Sequence, residues 1–143
     1  MKLNLLVASI NWLTAETIKS PDIFHNTFEQ IVAELKGAFK IGCASLITAY
    51  VLKNSTSVWG YTIGDARVGK LSGDDIAWLT NVHTGANPLG EIFTDEMKNE
   101  AQRHLLTRSL NMQRPFNPDY YKIDVSDIES LVIASDGFWA DLS

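Results

Sequence analysis

The stretch Val58-Trp59-Gly60-Tyr61-Thr62-Ile63-Gly64-Asp65-Ala66-Arg67-Val68-Gly69-Lys70-Leu71-Ser72-Gly73-Asp74 fixes the fold class. Val58 to Ile63 is built of β-branched and aromatic residues and stops at Gly64-Asp65. Val68 to Leu71 follows, then a Ser72-Gly73-Asp74 turn and a third run from Ile76 to Thr80, so the pattern predicts a meander of short strands. Gly64 to Lys70 also matches the front of a phosphate-binding loop, whose glycines let backbone amides wrap phosphate. Leu71 stands where a Ser or Thr hydroxyl would have to reach magnesium, and the next residues form a hairpin turn rather than a helix start. Nucleotide binding through this loop is therefore excluded.

Toward the N-terminus, Cys43, Leu46, Ile47, Tyr50, Val51 and Leu52 form an apolar run closed by Lys53-Asn54-Ser55, which predicts a buried strand with Cys43 as a packing residue. Before it, Phe24, Phe28, Ile31, Val32, Leu35 and Phe39 recur at helical spacing. Ser20 suits the N-cap of that helix and Pro21 its first position, where a missing N–H costs nothing. Leu3, Leu6, Val7, Ile10 and Leu13 line one side of an earlier helix over residues 3–18.

Toward the C-terminus, Asn81 to Glu91 reads as a loop, and Thr94 is placed to cap a helix that opens with Asp95 and Glu96 and runs through His104-Leu105-Leu106. Tyr120 to Val125 and Leu131 to Ala134 predict two more strands, the second closed by Ser135-Asp136-Gly137. Strands and helices so segregated predict a single α+β domain over residues 1–143, with mostly antiparallel sheets.

The composition agrees with one domain: 143 residues, 45% hydrophobic and 20% charged. With 12 Lys and Arg against 17 Asp and Glu, the net charge of −5 excludes the electrostatic footprint of a nucleic-acid or anionic-membrane binder. Asn4, Ser9 and Asn11 interrupt the apolar start, so no stretch approaches the ~20 residues a membrane span needs. A solitary Cys43 can form neither an internal disulfide nor a zinc cluster, which points to the reducing cytoplasm.

Two acidic motifs stand at strand ends, Ile63-Gly64-Asp65 and Ala134-Ser135-Asp136-Gly137. A glycine beside each aspartate permits a tight turn that aims the carboxylate outward, and hard cations such as Mg²⁺ or Mn²⁺ take such oxygen ligands while keeping several waters. By themselves, these spacings also describe ordinary Asp-Gly turns.

The order Gly42-Cys43-Ala44-Ser45, Ile63-Gly64-Asp65-Ala66-Arg67, Leu79-Thr80-Asn81-Val82-His83-Thr84, Leu106-Thr107-Arg108-Ser109-Leu110 and Ala134-Ser135-Asp136-Gly137-Phe138-Trp139 resembles the metal-dependent type 2C (PPM) protein phosphatases. The resemblance covers residues 40–143 and implies a partial αββα sandwich, with sheets flanked by helices. It also implies a binuclear Mg²⁺ or Mn²⁺ site that activates water against phosphoserine or phosphothreonine. Asp136 matches the family's Ser-Asp-Gly aspartate, a ligand of the binuclear site. Asp65 matches the Gly-Asp-Ser-Arg aspartate, which some members use for an additional metal, with Ala66 replacing the serine here. The resemblance gives no catalytic residue beyond these two metal ligands. Arg67 is expected to be structural, and His83, at an Asp-His-Ser position with altered neighbours, to serve packing or the loop.

The family's Asp-Gly-x-Gly-Gly turn and its later Asp-Asn motif have no counterpart in these residues. The expectation is a truncated phosphatase 2C-like domain in which Asp65 and Asp136 converge but are too few to hold two cations, weak or inactive as an isolated chain. The alternative is a non-catalytic pseudophosphatase acting as a protein-binding or regulatory module. The expected partners are a phosphoprotein substrate or a protein partner, with a second copy or a complementing chain covering an open sandwich edge.

Overall fold

The computed structural model describes residues 20–52, 54–91 and 93–140. The helix expected over residues 3–18 lies outside them. In chain order the elements are α1 (Pro21–Ala38), β1 (Cys43–Ala44), β2 (Leu46–Ile47), β3 (Tyr50–Val51), β4 (Ser57–Ile63), β5 (Arg67–Ser72), β6 (Asp75–Trp78), α2 (Asp95–Lys98), a 3-10 turn (Ala101–His104), β7 (Leu110–Asn111), β8 (Asp119–Asp124), β9 (Ser130–Ala134) and α3 (Asp136–Trp139).

Helix α1 starts where its capping residues put it. Ser20 is extended, its hydroxyl accepts from the Ile23 amide at 3.3 Å, and Pro21 opens the first turn. The helical period then turns Phe24, Phe28, Ile31 and Val32 inward. Phe24 stacks on Tyr50 at 4.0 Å and on Tyr61 at 5.8 Å, and Phe28 meets Tyr61 at 5.7 Å, so the helix lies on an aromatic sheet face. Each fully buried aromatic of this kind stabilises by roughly 1.5–3 kcal/mol.

Strand β4 is the spine of a four-stranded antiparallel sheet, with β2 and β3 along one edge and β8 along the other. Strand β5 centres a second, three-stranded sheet between β6 and β9. Val58 and Tyr121 from the first sheet meet Val68 from the second in one buried cluster, which makes the two sheets a sandwich. The architecture is the mixed, antiparallel αββα type with α1 on one outer face. The other outer face is covered by the loop from Val82 to Phe93 and by α3 through Trp139.

Four expectations need correction. Strands β4 and β5 do not form a meander, because they join different sheets and pack face to face; only β5 and β6 make the hairpin, turning at Gly73 with φ +60°. The single strand expected after Ile41 is three two-residue pieces. Its cause is Thr48, whose hydroxyl accepts from the Tyr61 amide at 2.9 Å in place of its own carbonyl, while that carbonyl accepts from the Tyr121 hydroxyl. Cys43 is exposed rather than packed, since β1 leaves this sheet to pair with β7. The helix expected from Thr94 through Leu106 stops after the four residues of α2 and resumes only as the 3-10 turn, because neither piece has a buried side chain to hold it.

The Thr48 arrangement dictates a glycine opposite it. A Cβ built on Gly60 would overlap the Thr48 carbonyl oxygen, which is backbone and cannot swing away. Gly60→Val is expected to lose about 3 kcal/mol or more of stability, the upper end of overpacking costs. Urea denaturation of that variant beside wild type measures it, and an unchanged midpoint would contradict the packing described.

Candidate metal-binding site

The pairing of β5 with β9 places the two strand-end aspartates. Arg67 pairs with Ala134 in antiparallel register, so Asp65, two residues before Arg67, and Asp136, two residues after Ala134, leave the sheet at the same end. Trp139 from α3 ties the two turns together, its indole N–H donating to the Asp65 carbonyl at 2.8 Å. Asp136 sits in the first turn of α3, preceded by the extended Ser135.

The Asp65 turn is held from several directions. Gly64 adopts φ +100°, a conformation open to glycine, and a side chain there would also strike Ser45. The Ser45 hydroxyl donates to Asp65 Oδ1 and accepts from the Asp65 amide at 3.2 Å. The amide of Gly64 donates to His83 Nδ1 at 3.1 Å, and the amide of His83 donates back to the Gly64 carbonyl at 2.7 Å.

His83 is 2% exposed and leads onward to a charged pair. Its Nε2 lies 2.8 Å from Asp119 Oδ2, and Arg108 grips the same carboxylate with both terminal nitrogens, at 2.7 and 3.0 Å. Burial holds the His83 pKa below its usual value; the bond to Asp119 opposes this and the Arg108 charge adds to it. For Asp119, burial pushes the carboxyl up, but the hydrogen bonds from Arg108 and His83 outweigh it and the net shift is downward.

Arg67, expected to be structural, is 3% exposed and sits among rings. Its guanidinium carbon lies 4.8 Å from the Trp78 ring centre, 5.2 Å from Trp139 and 5.5 Å from Phe93. Burial lowers its pKa to about 10, partly opposed by Asp95. It holds the aromatic layer that carries Trp139.

His83 serves the loop, as expected, but its partner Asp119 and the link through Arg108 escaped the sequence pattern. Asp119 lies 36 residues after His83, and only the β4–β8 pairing of Thr62 with Asp119 brings it close. The loop from Asn81 to Glu91 is organised by buried Asn87, which donates to the carbonyls of Val82 and Glu91 at 3.1 and 2.9 Å and accepts from the Glu91 amide at 3.0 Å.

The donor chemistry suits a hard cation in part. Asp65 and Asp136 offer carboxylate oxygens at one sheet end, a ligand share that a single Mg²⁺ or Mn²⁺ keeping most of its waters requires. Among the described residues no group of three or more His, Cys, Asp or Glu is placed to hold a metal. Asp119 is committed to His83 and Arg108. Among the described residues no helix is long and apolar enough to cross a membrane.

The helix-backed antiparallel sandwich is a fold found among solved phosphatases. No family model matches the chain. It is 26% identical over 136 residues to a putative protein phosphatase 2C-type of Streptococcus pyogenes, a match covering 88% of this chain and 55% of that one. Among solved structures, the PPM Ser-Thr phosphatase MsPP of Mycobacterium smegmatis, in complex with cacodylate, superposes with a TM-score of 0.70 at 27% identity, covering 92% of this chain and 61% of that one. The catalytic domain of the serine threonine protein phosphatase PstP, in complex with two manganese ions, shares the fold with a TM-score of 0.67 at 16% identity, over 98% of this chain and 62% of its own. In sequence and in fold the chain is similar to the type 2C (PPM) protein phosphatases. It spans about half the length of the curated relatives it matches.

Proposed function

We propose that residues 1–143 act as one phosphatase 2C-like unit that contributes Asp136 and Asp65 to a Mg²⁺ or Mn²⁺ site for hydrolysis of phosphoserine or phosphothreonine on a protein, with weak activity as an isolated chain. The supporting observation is the Arg67–Ala134 register, which sends both carboxylates to one end of the sheet. When bound, such a cation lowers the pKa of water and offsets charge on phosphoryl oxygens. The chain's own share is to hold Asp65 and Asp136 in place: Ser45 and His83 fix the first turn, and Trp139 links it to the second. Asp136 acts as a ligand and not as a base.

A second reading is a non-catalytic binding module, a pseudophosphatase. It draws on the absence of a third carboxylate or imidazole beside the two aspartates among the described residues. Calorimetric titration with Mn²⁺, paired with aryl phosphate hydrolysis, separates the two readings. The phosphatase reading expects binding that Asp136→Ala weakens by about 10-fold or more, with hydrolysis falling alongside. No heat of binding, or hydrolysis equal in both proteins, would leave the pseudophosphatase.

A further inference from the structure

We propose that His83 is the positioning residue for Asp65, acting through one imidazole nitrogen and in one tautomer. The inference rests on the reading of Asp65 as a cation ligand and adds the group that aims it. Both backbone polar groups of Gly64 are taken by His83: the amide donates to Nδ1 at 3.1 Å and the carbonyl accepts from the His83 amide at 2.7 Å. A backbone N–H can only donate, so Nδ1 carries no proton and the ring proton resides on Nε2. From there it is donated to Asp119 Oδ2 at 2.8 Å.

The orientation of the ring is set from outside the turn. Arg108 holds both oxygens of Asp119, which fixes the Nε2 end of the ring, and the Thr107 amide donates to the His83 carbonyl at 2.9 Å, which fixes its backbone. The turn itself has no sheet partner at Gly64 among the described residues, since β4 ends at Ile63 and β5 begins at Arg67. Gly64 sits at φ +100°, where glycine has no side chain to choose a direction for the next residue. Ser45 and Trp139 hold Asp65 itself, and the Nδ1 bond to the Gly64 amide sets the peptide from which Asp65 leaves the strand.

A residue that merely filled space would tolerate any side chain of similar volume. The positioning role separates two amides. In His83→Asn the side-chain oxygen falls where Nδ1 was and can accept from Gly64, while the bond to Asp119 is lost. In His83→Gln the polar end reaches the Nε2 position, while the Gly64 amide loses its acceptor.

The test uses the full chain and Mn²⁺, read by paramagnetic broadening of the Asp65 and Asp136 amide signals, with the ring tautomer read from the His83 ¹⁵N resonances. The expected results are an unprotonated Nδ1 in wild type, Mn²⁺ affinity in His83→Asn close to wild type, and about 10-fold weaker affinity in His83→Gln. A proton on Nδ1, or equal loss in the two variants, overturns the proposal. If wild type shows no broadening at Asp65, the cation reading falls and the Gly64 and Asp65 amide shifts decide the positioning role. Shifts retained in His83→Asn and displaced in His83→Gln uphold it, and equal displacement overturns it.

Discussion

Arg67→Ala is expected to cost about 3–5 kcal/mol of stability, the range for truncating a large buried side chain. The guanidinium is the filling of an aromatic layer, within 5.5 Å of the ring centres of Trp78, Phe93 and Trp139, and its Nε donates to the Thr80 carbonyl at 3.4 Å. Removing it uncovers one side of each of the three rings. The charge is not what the layer needs most, because burial disfavours it and lowers the pKa to about 10. Arg67→Met, which keeps the stem and discards the charge, is therefore expected within about 1.5 kcal/mol of wild type. Urea denaturation of the two variants decides the matter. A Met variant as weak as the Ala variant would show that the cation, rather than the volume, carries the layer.

Asp119→Ala is the second large effect. It strips the buried Nε2–H of His83 of its acceptor, which costs about 1–3 kcal/mol, and leaves Arg108 without its carboxylate. Asp119→Asn keeps an acceptor oxygen and should lose less. The same contact fixes a pH dependence. The folded pKa of His83 lies below its ordinary 6.5 because burial disfavours the charged ring. The unfolded chain therefore binds a proton first as pH falls. The His83 contribution is fully present above about pH 6.5 and is lost as pH falls through the folded pKa. The folded pKa of Asp119 is also lowered, from 3.8, so its contribution persists down to about that pH and is lost below it. Urea midpoints of wild type should be level above pH 6.5 and decline below it, with the decline between 6.5 and 3.8 reduced in His83→Asn. An unchanged slope in that variant would remove His83 from the linkage.

Local periodicity settled the parts of the molecule that depend on neighbours in the chain. Ser20-Pro21 set the start of α1, the 3.6-residue recurrence from Phe24 chose its buried face, and Ser72-Gly73-Asp74 marked the β5–β6 hairpin. The order of five short motifs carried the resemblance to the type 2C phosphatases, and the strand and turn residues put Asp65 and Asp136 at strand ends. What periodicity could not supply was the partner of each strand. Val58–Ile63 and Val68–Leu71 look alike in alternation, and nothing local says that they face each other across a sandwich instead of pairing edge to edge. The interruption at Thr48 is equally silent, since it depends on the hydroxyl of Tyr121, 73 residues away.

For the candidate site, residue types alone named the two carboxylates, because a hard cation selects oxygen donors and a strand end holds them rigid. That they leave the sheet at the same end came from the β5–β9 register, and the clasp of His83, Asp119 and Arg108 from the closing of β8 on β4. Sequence determines which groups are available and the local bends that expose them. Which of them share a hydrogen bond is a matter of long-range pairing, where the hydrophobic faces of whole sheets, rather than any residue's own preference, choose the register.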